Sequence, residues 1–471
     1  MVTTLNLELE EQKRWRLRSR FSGYDLFDKA AWSEFIPDDM RRIQLAKDFR
    51  LVSGFAARHV AYYRNLFVRL GITPGDFTKP GSLYRLPILT RDELQRHIAS
   101  MQPKILPRGH KIVYVTRTSG STGQPVHVPK TERCKLWWTI LKQRELRWFR
   151  FDPHNDLAAI RDTRDLPRLP DGRYLPDDKT HSFPAWPAVG EFFETGRFLT
   201  CSHLCPLDQQ IAWLQEQRPQ YLMSMAANME QLSFGYHDPQ LTHSFRALLA
   251  ISQELTPVMR EQIEKTFAVP LHQNYGLNEI GIVASRCPEG GRYHVHSEHC
   301  LVEIVDEEGR PCQAGERGRI LVTGLANLAM PLFRYDTGDL AEASEGPCVC
   351  GRTLPTFGAI HGRYRRIVFL PPGTWTLWTQ VQRAMCALPT DLASHVRQYQ
   401  LHQFHDGTFE LRIVPAGRLP ETFEAFIRKL WFVTDNDPPP PIQIVEVETI
   451  PRPPSRKFEN FTSDFIPPRD G

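Results

Sequence analysis

Two groups of residues carry chemistry by type and spacing. Residues 111–125 read KIVYVTRTSGSTGQP, a β-branched run from Ile112 to Val115 feeding Thr118–Pro125, which is almost wholly Thr, Ser and Gly. Such a loop offers backbone N–H groups and hydroxyls with no bulky side chain in the way, the donor set that phosphate oxygens require. A flexible turn has the same composition. A Walker-type loop is excluded, because that chemistry needs Lys-Ser/Thr and then a helix. Here Gly123 is followed by Gln-Pro and by VHVPKT, which alternates like a strand. The second group is Cys287, His294, Cys348 and Cys350. Three soft thiolates and an imidazole form a closed tetrahedral set for a structural Zn²⁺, with no position left for water. Reduced buried thiols are the alternative, and His296, His299, Cys300 and Cys312 are rival ligands from the same segment. Cys201 and Cys205 form a separate, unassigned pair.

The elements that must position these residues read as α/β. FRALLAIS, 245–252, is an apolar run of strand length, Thr256-Pro257 supplies a helix cap and first residue, and Met259, Ile263 and Phe267 recur on one helical face. VPLHQNYG, 269–276, is a second strand. A strand–helix–strand unit with short links predicts parallel pairing. Ligands on such sheets gather beyond the carboxyl ends of the strands, which is where Tyr275 lies. Near the C-terminus, ELRIVPAG and QIVEVETI read as strands around an amphipathic helix bearing Phe423, Phe426, Ile427, Leu430 and Trp431, with Asp437–Pro441 as a proline loop. A boundary near Gly362-Arg363 gives domains 1–363 and 364–471. The 38 prolines predict extended connections and turns rather than long helices.

At 471 residues the chain is long enough for several domains, with 41% hydrophobic and 24% charged residues, as in a soluble globular protein. A net charge of +4 is too weak to imply nucleic acid or an anionic membrane as partner. No apolar run approaches the ~18 residues of a spanning helix. The charged N-terminus lacks a secretory core, and nine cysteines, an odd number, argue against a secreted disulfide framework. A cytoplasmic protein is expected.

Further landmarks follow in order: QNYGLNE (273–279), YDTGDL (335–340), Gly362-Arg363 and IPRPPSRKFENF (450–461). Together with TSGSTGQP they resemble the acyl-adenylate-forming superfamily. The resemblance implies a large N-terminal adenylate-forming domain with mixed and parallel sheets and a small mobile C-terminal α+β lid. It also implies that Thr118, Ser119, Gly120, Ser121, Thr122 and Gly123 hold ATP phosphates. Asn274, Tyr275 and Gly276 would form the adenine face, Glu279 would bind Mg²⁺, Asp339 the ribose hydroxyls, Arg363 the nucleotide, and Lys457 would be the catalytic lysine. Asn278, Tyr364 and Arg456 depart from the family pattern, at positions where Ser/Thr, Asp and Gly are usual.

The run Cys287-x₆-His294, VEIVDEEG, GERGRILVTGL, PLFRYDTGDL and CVCGRTLP (287–355), with VAYYRNLF and RLPILTRDEL upstream, resembles the phenylacetate–CoA ligase branch. The branch implies activation of a small carboxylic acid, with coenzyme A as the commonest acceptor. FPAWPAVGEFFETGRF, 183–198, is aromatic-rich and favours an aryl acid by analogy, although its rings also suit an ordinary core. Tyr364 at the hinge favours a non-CoA acceptor such as an amine as the alternative, with an inactive adenylate-binding relative as a further one. Self-association as a homodimer is left open.

Overall fold

The strand–helix–strand unit of residues 245–276 forms as Ala247–Ile251, Pro257–Phe267 and Leu271–Leu277. Thr256 caps the helix, its hydroxyl accepting from the Met259 amide, and Pro257 occupies the first turn, where its missing N–H is harmless. Met259, Ile263 and Phe267 are buried, and the strands pair in parallel with Leu248 opposite Leu271. This computed structural model describes residues 24–78, 80–108, 110–117, 126–235, 244–253, 255–363, 367–370, 374–377, 388–393, 395–431, 440–451 and 461–464.

The chain divides into two compact units. The first comprises Met1–His154, Pro187–Thr195 and Asn274–Ile360. Its sheet is ordered Cys300–Val305, Arg317–Gly324, Tyr335–Ala343, Thr356–Arg363, Tyr293–Val295, Gly281–Arg286 and the end of Leu271–Leu277. Its core gathers Phe49, Tyr63, Phe77 and Phe333, whose rings meet edge-on or tilted, with Val283, Ile320 and Val322 of the sheet.

The second unit comprises Asn155–Trp186, Gly196–Gln273 and His361–Gly471. Leu157–Arg161 runs parallel to both Phe198–Ser202 and Tyr221–Met225, and Ala247–Ile251 extends the array, while Thr180–Phe183 adds an antiparallel edge. The central strands LAAIR, YLMSM and ALLAI are near-continuous apolar runs, as parallel strands covered on both faces require. From His361 onward the unit carries a four-stranded sheet ordered Ile442–Glu446, Phe409–Pro415, Val396–Gln403 and Phe461–Ser463. Helix Glu421–Leu430 buries Phe423 and Ile427 in the same cluster as Phe409, Leu411 and Ile413.

The architecture is α/β with mixed sheets, as read from the sequence. The expectation of few long helices is corrected: Asp38–His59 spans 22 residues and Glu132–Trp148 spans 17. Proline did not prevent them because it stands where helices begin, with Pro37, Pro206 and Pro420 at N-caps. None of the described helices is long and apolar enough to cross a membrane.

Candidate active site

Strand Ile112–Arg117 pairs antiparallel with His127–Thr131, so the strand read after the glycine-rich loop is present. Thr131 then caps Glu132–Trp148, its hydroxyl accepting from the Cys134 amide. Thr118–Gly123 themselves lie outside the described residues, as do Lys457 and Tyr364.

Where Leu271–Leu277 meets Gly281–Arg286, the register shifts between Tyr275 and Gly276. Glycine is required on both sides of this irregularity. A Cβ at Gly276 would lie 3.0 Å from the Gly281 carbonyl oxygen, and Gly281 itself has φ +123°. The bulge re-aims the chain just where the Tyr275 hydroxyl donates to Asp339 Oδ2 at 2.7 Å. Phe357 packs edge-on against the Tyr275 ring, with centroids 6.1 Å apart. Asp339 is set by the strand Tyr335–Ala343, where the Gly338 amide donates to Asp336 Oδ1 and the Asp339 amide to Thr337 Oγ1.

Glu279 follows in the turn. Its Oε1 accepts from the Tyr335 hydroxyl at 2.9 Å and faces Arg91 Nη1 at 3.5 Å. Burial, with the Glu279 charge beside it, pushes the Tyr335 phenol far up, so it remains a donor. Tyr275 with Asp339 and Tyr335 with Glu279 thus form two phenol–carboxylate pairs in the first unit. Asn274 is engaged elsewhere: its side-chain amide donates to both Glu145 oxygens, at 3.1 and 2.9 Å. Arg363 ends the strand Thr356–Arg363, one residue after Gly362 at φ +80°. Of the aromatic segment, Trp186 is buried edge-on against Tyr221 in the second unit and Phe193 against Phe27 in the first. These two rings therefore make ordinary core contacts.

The four metal-ligand candidates converge. One donor atom from each of Cys287, His294, Cys348 and Cys350 lies within 4.8 Å of all the others, and all four residues are buried. The Gly290 amide points at Cys287 Sγ at 3.3 Å, and His294 Nε2 stands 3.2 Å from Cys350 Sγ. A Cβ at Gly290 would collide with the Cys348 sulfur, so the first knuckle admits only glycine. Hydrogen bonding from Cys287 holds the Cys350 thiol well below the usual thiol range despite its burial. Burial alone would depress His294, but the Cys348 and Cys350 sulfurs outweigh it and raise the imidazole to about 9. A pocket that gathers negative sulfur around a small gap fits Zn²⁺. The rival ligands stand apart: His296 meets Arg144 and Ser285, and His299 meets the Ile280 carbonyl.

Residues 181–330 match the family described as AMP-binding enzyme. The phenylacetate-coenzyme A ligase of Thermus thermophilus is 26% identical over 406 residues, covering 83% of this chain and 84% of that protein. The ligase of the same name from Aromatoleum evansii is 25% identical over 417 residues, covering 83% and 87%. The chain is therefore similar to the phenylacetate-coenzyme A ligases, and its middle third carries the AMP-binding enzyme match. A solved structure of 2-hydroxyisobutyryl-CoA ligase in the postadenylation state, in complex with 2-HIB-AMP, superposes with a TM-score of 0.68 at 15% identity. It covers 92% of each chain, a likeness of fold.

Within this fold, the residues that hold the candidate site are ones the sequence did not single out. Fully buried Glu145 accepts from Asn274 and, at 3.2 Å, from the Ser285 hydroxyl, and it pairs with Lys142. Lys130 is buried behind Glu279. Their only signal in the sequence was position: Lys130 follows Val128 and Pro129 in the short strand His127–Thr131, and Glu145 lies on a helix among Leu141, Leu146 and Trp148.

Proposed function

We propose that this enzyme condenses an aromatic carboxylic acid with ATP to an acyl-adenylate and pyrophosphate, then passes the acyl group to the thiol of coenzyme A. The observation that carries the reading is the clustering of an aromatic ring and two carboxylates, Tyr275, Asp339 and Glu279, around the end of one strand. That arrangement suits a purine, a ribose diol and a metal-bound phosphate. The names of the relatives supply the acid class and the acceptor.

In this reading a carboxylate oxygen attacks the α-phosphorus and the bond to the bridging oxygen breaks, so that pyrophosphate leaves with the electron pair. Thr118–Gly123 cradle the phosphates, Glu279 holds Mg²⁺, and Asp339 exchanges its Tyr275 partner for the ribose hydroxyls. Arg363 contacts the nucleotide, and Lys457 offsets the charge that develops between the two anions. Residues 364–471 act as the lid that brings Lys457 in and then withdraws it. In the second step the coenzyme A sulfur attacks the acyl carbon and AMP leaves. Cys287, His294, Cys348 and Cys350 would hold a structural Zn²⁺, which bonds the turn at Cys287 to the loop at Cys348 and takes no part in the reaction.

A second reading has a specific observation in its favour. Tyr364-Arg365-Arg366 stands where relatives carry a hinge Asp, so transfer to coenzyme A is expected to be slow relative to adenylation, with an amine as the competing acceptor. Pyrophosphate release from ATP and a panel of aromatic acids tests the first step. Single-turnover transfer from pre-formed acyl-AMP to coenzyme A or to amines tests the second. Rapid thioester formation would remove the amine reading; no pyrophosphate with any acid would remove both.

A further inference from the structure

Three consecutive backbone carbonyls in the turn that carries Glu279 each accept a hydrogen bond from a side chain on a different element. Thr116 Oγ1 donates to the Asn278 oxygen at 2.7 Å, Lys130 Nζ to the Glu279 oxygen at 2.6 Å, and His299 Nε2 to the Ile280 oxygen at 3.1 Å. Asn278 returns a bond, its amide donating to the Arg117 carbonyl at 2.8 Å. The departure from the family pattern at Asn278 therefore ties this turn to the hairpin strand that leads into the glycine-rich loop.

The middle grip differs in kind. Lys130 is only 2% exposed, and a buried ammonium is costly unless a nearby group compensates it. An apolar residue would fill the strand position at no such cost. Burial lowers the amine to about 8, with Cys134 and Glu279 pulling it back up, so it is mostly charged at neutral pH. Its hydrogen bond goes to the backbone of the very residue whose carboxylate, on the other side, receives the Tyr335 hydroxyl. Gly281 completes the arrangement, because a Cβ there would lie 3.2 Å from His299 Nε2 and press on the third grip.

We propose that Lys130 is a positioning residue for Glu279: its buried ammonium locks the turn from behind so that the carboxylate stands at one place, beside Tyr335, to receive Mg²⁺. The inference rests on the reading of Glu279 as the Mg²⁺ ligand of the adenylation step. It makes the metal affinity of the enzyme a property of a residue that never touches the metal.

The test is the Mg²⁺ dependence of pyrophosphate release at saturating ATP and acid. Lys130→Met should raise the half-saturating Mg²⁺ concentration about tenfold, the scale of one lost charge-assisted hydrogen bond, while kcat at saturating Mg²⁺ falls by less than about threefold. Lys130→Arg, which keeps a charged donor, should recover part of the shift. Thr116→Val removes the neighbouring grip without changing shape, at a half-buried position that tolerates it. It should move Mg²⁺ half-saturation in the same direction by about threefold, and it serves if Lys130→Met does not fold. A purely structural lysine would lower kcat and thermal stability and leave the Mg²⁺ half-saturation unmoved, which would overturn the inference. So would an unmoved half-saturation in Thr116→Val if that were the only folded variant. Glu279→Gln run in parallel separates the two levels. If it shifts the Mg²⁺ dependence and Lys130→Met does not, only the positioning role fails. If neither does, the assignment of Glu279 itself fails.

Discussion

The Tyr275–Asp339 face and the cysteine cluster are built on the same sheet of the first unit, and they hold their polar groups in opposite ways. At the cysteine cluster the donors face one another: three sulfurs and an imidazole are packed within 4.8 Å and buried, and the knuckle glycine leaves no room to open. On the Tyr275 face each carboxylate meets a phenol instead, Asp339 with Tyr275 and Glu279 with Tyr335, and each phenol can be released to a better partner. The histidines show the same contrast. The sulfurs hold His294 up at about 9 against its burial, whereas burial, helped by the Lys130 charge, pulls His299 down to about 4. On the proposed reading, the difference separates a site made to keep its occupant from one made to exchange it. A permanent ion repays convergent donors, while a substrate needs donors that have provisional partners.

The largest break in this comparison would come from stripping metal. Protein purified without added zinc is expected to carry about one zinc per chain, and chelation should lower the melting temperature before it lowers adenylation. A metal-free preparation with unchanged melting and full activity would reduce the cluster to buried thiols. On the other face, Lys457→Ala should slow adenylation by roughly 10²–10³, the scale of one transition-state electrostatic contact, while ATP binding changes little. A near wild-type rate would remove Lys457 from the site.

Asp339→Ala sharpens the exchange idea. On the proposed reading two ribose hydroxyls lose a charged acceptor worth ~1.5–3 kcal/mol, so ATP binding should weaken by about tenfold or more. ATP titration of the two proteins checks it, and equal affinities would show that Asp339 is held by Tyr275 for structure alone. A smaller effect is expected from pH. The pKa of His299 is lower in the folded than in the unfolded chain, so the unfolded state takes up the proton first as pH falls below about 6.5. Stability should therefore drop by about 2 kcal/mol between pH 7 and pH 5 through this group. Denaturant unfolding of wild type and His299→Gln measures it, with a flatter profile expected for the variant and parallel profiles contradicting the assignment.

How much of this could be read beforehand depended on how local the cause was. The Thr256–Pro257 helix start, the parallel strands and the strand after the glycine-rich loop follow from caps and periodicity within a few residues. The cysteine set was legible because thiols at close spacing have few roles. The long helix Asp38–His59 was hidden by a proline count that does not say where each proline stands. Lys130, Glu145 and the triple grip on Asn278–Ile280 were hidden more deeply. Most of these bonds join residues more than a hundred positions apart, as in the Lys130–Glu279 bond across 149, and a lysine in a strand looks like a solvated one until the fold buries it.

On the proposed reading the face bearing Tyr275, Glu279 and Asp339 activates a carboxylic acid with ATP, and pyrophosphate release titrated with Mg²⁺ measures this most directly. Wild-type protein given ATP and an aromatic acid such as phenylacetate should release pyrophosphate and accumulate acyl-AMP, and Glu279→Gln should need about tenfold more Mg²⁺ to do so. No pyrophosphate with any acid tried, or a Glu279→Gln protein with the wild-type Mg²⁺ dependence, would contradict it.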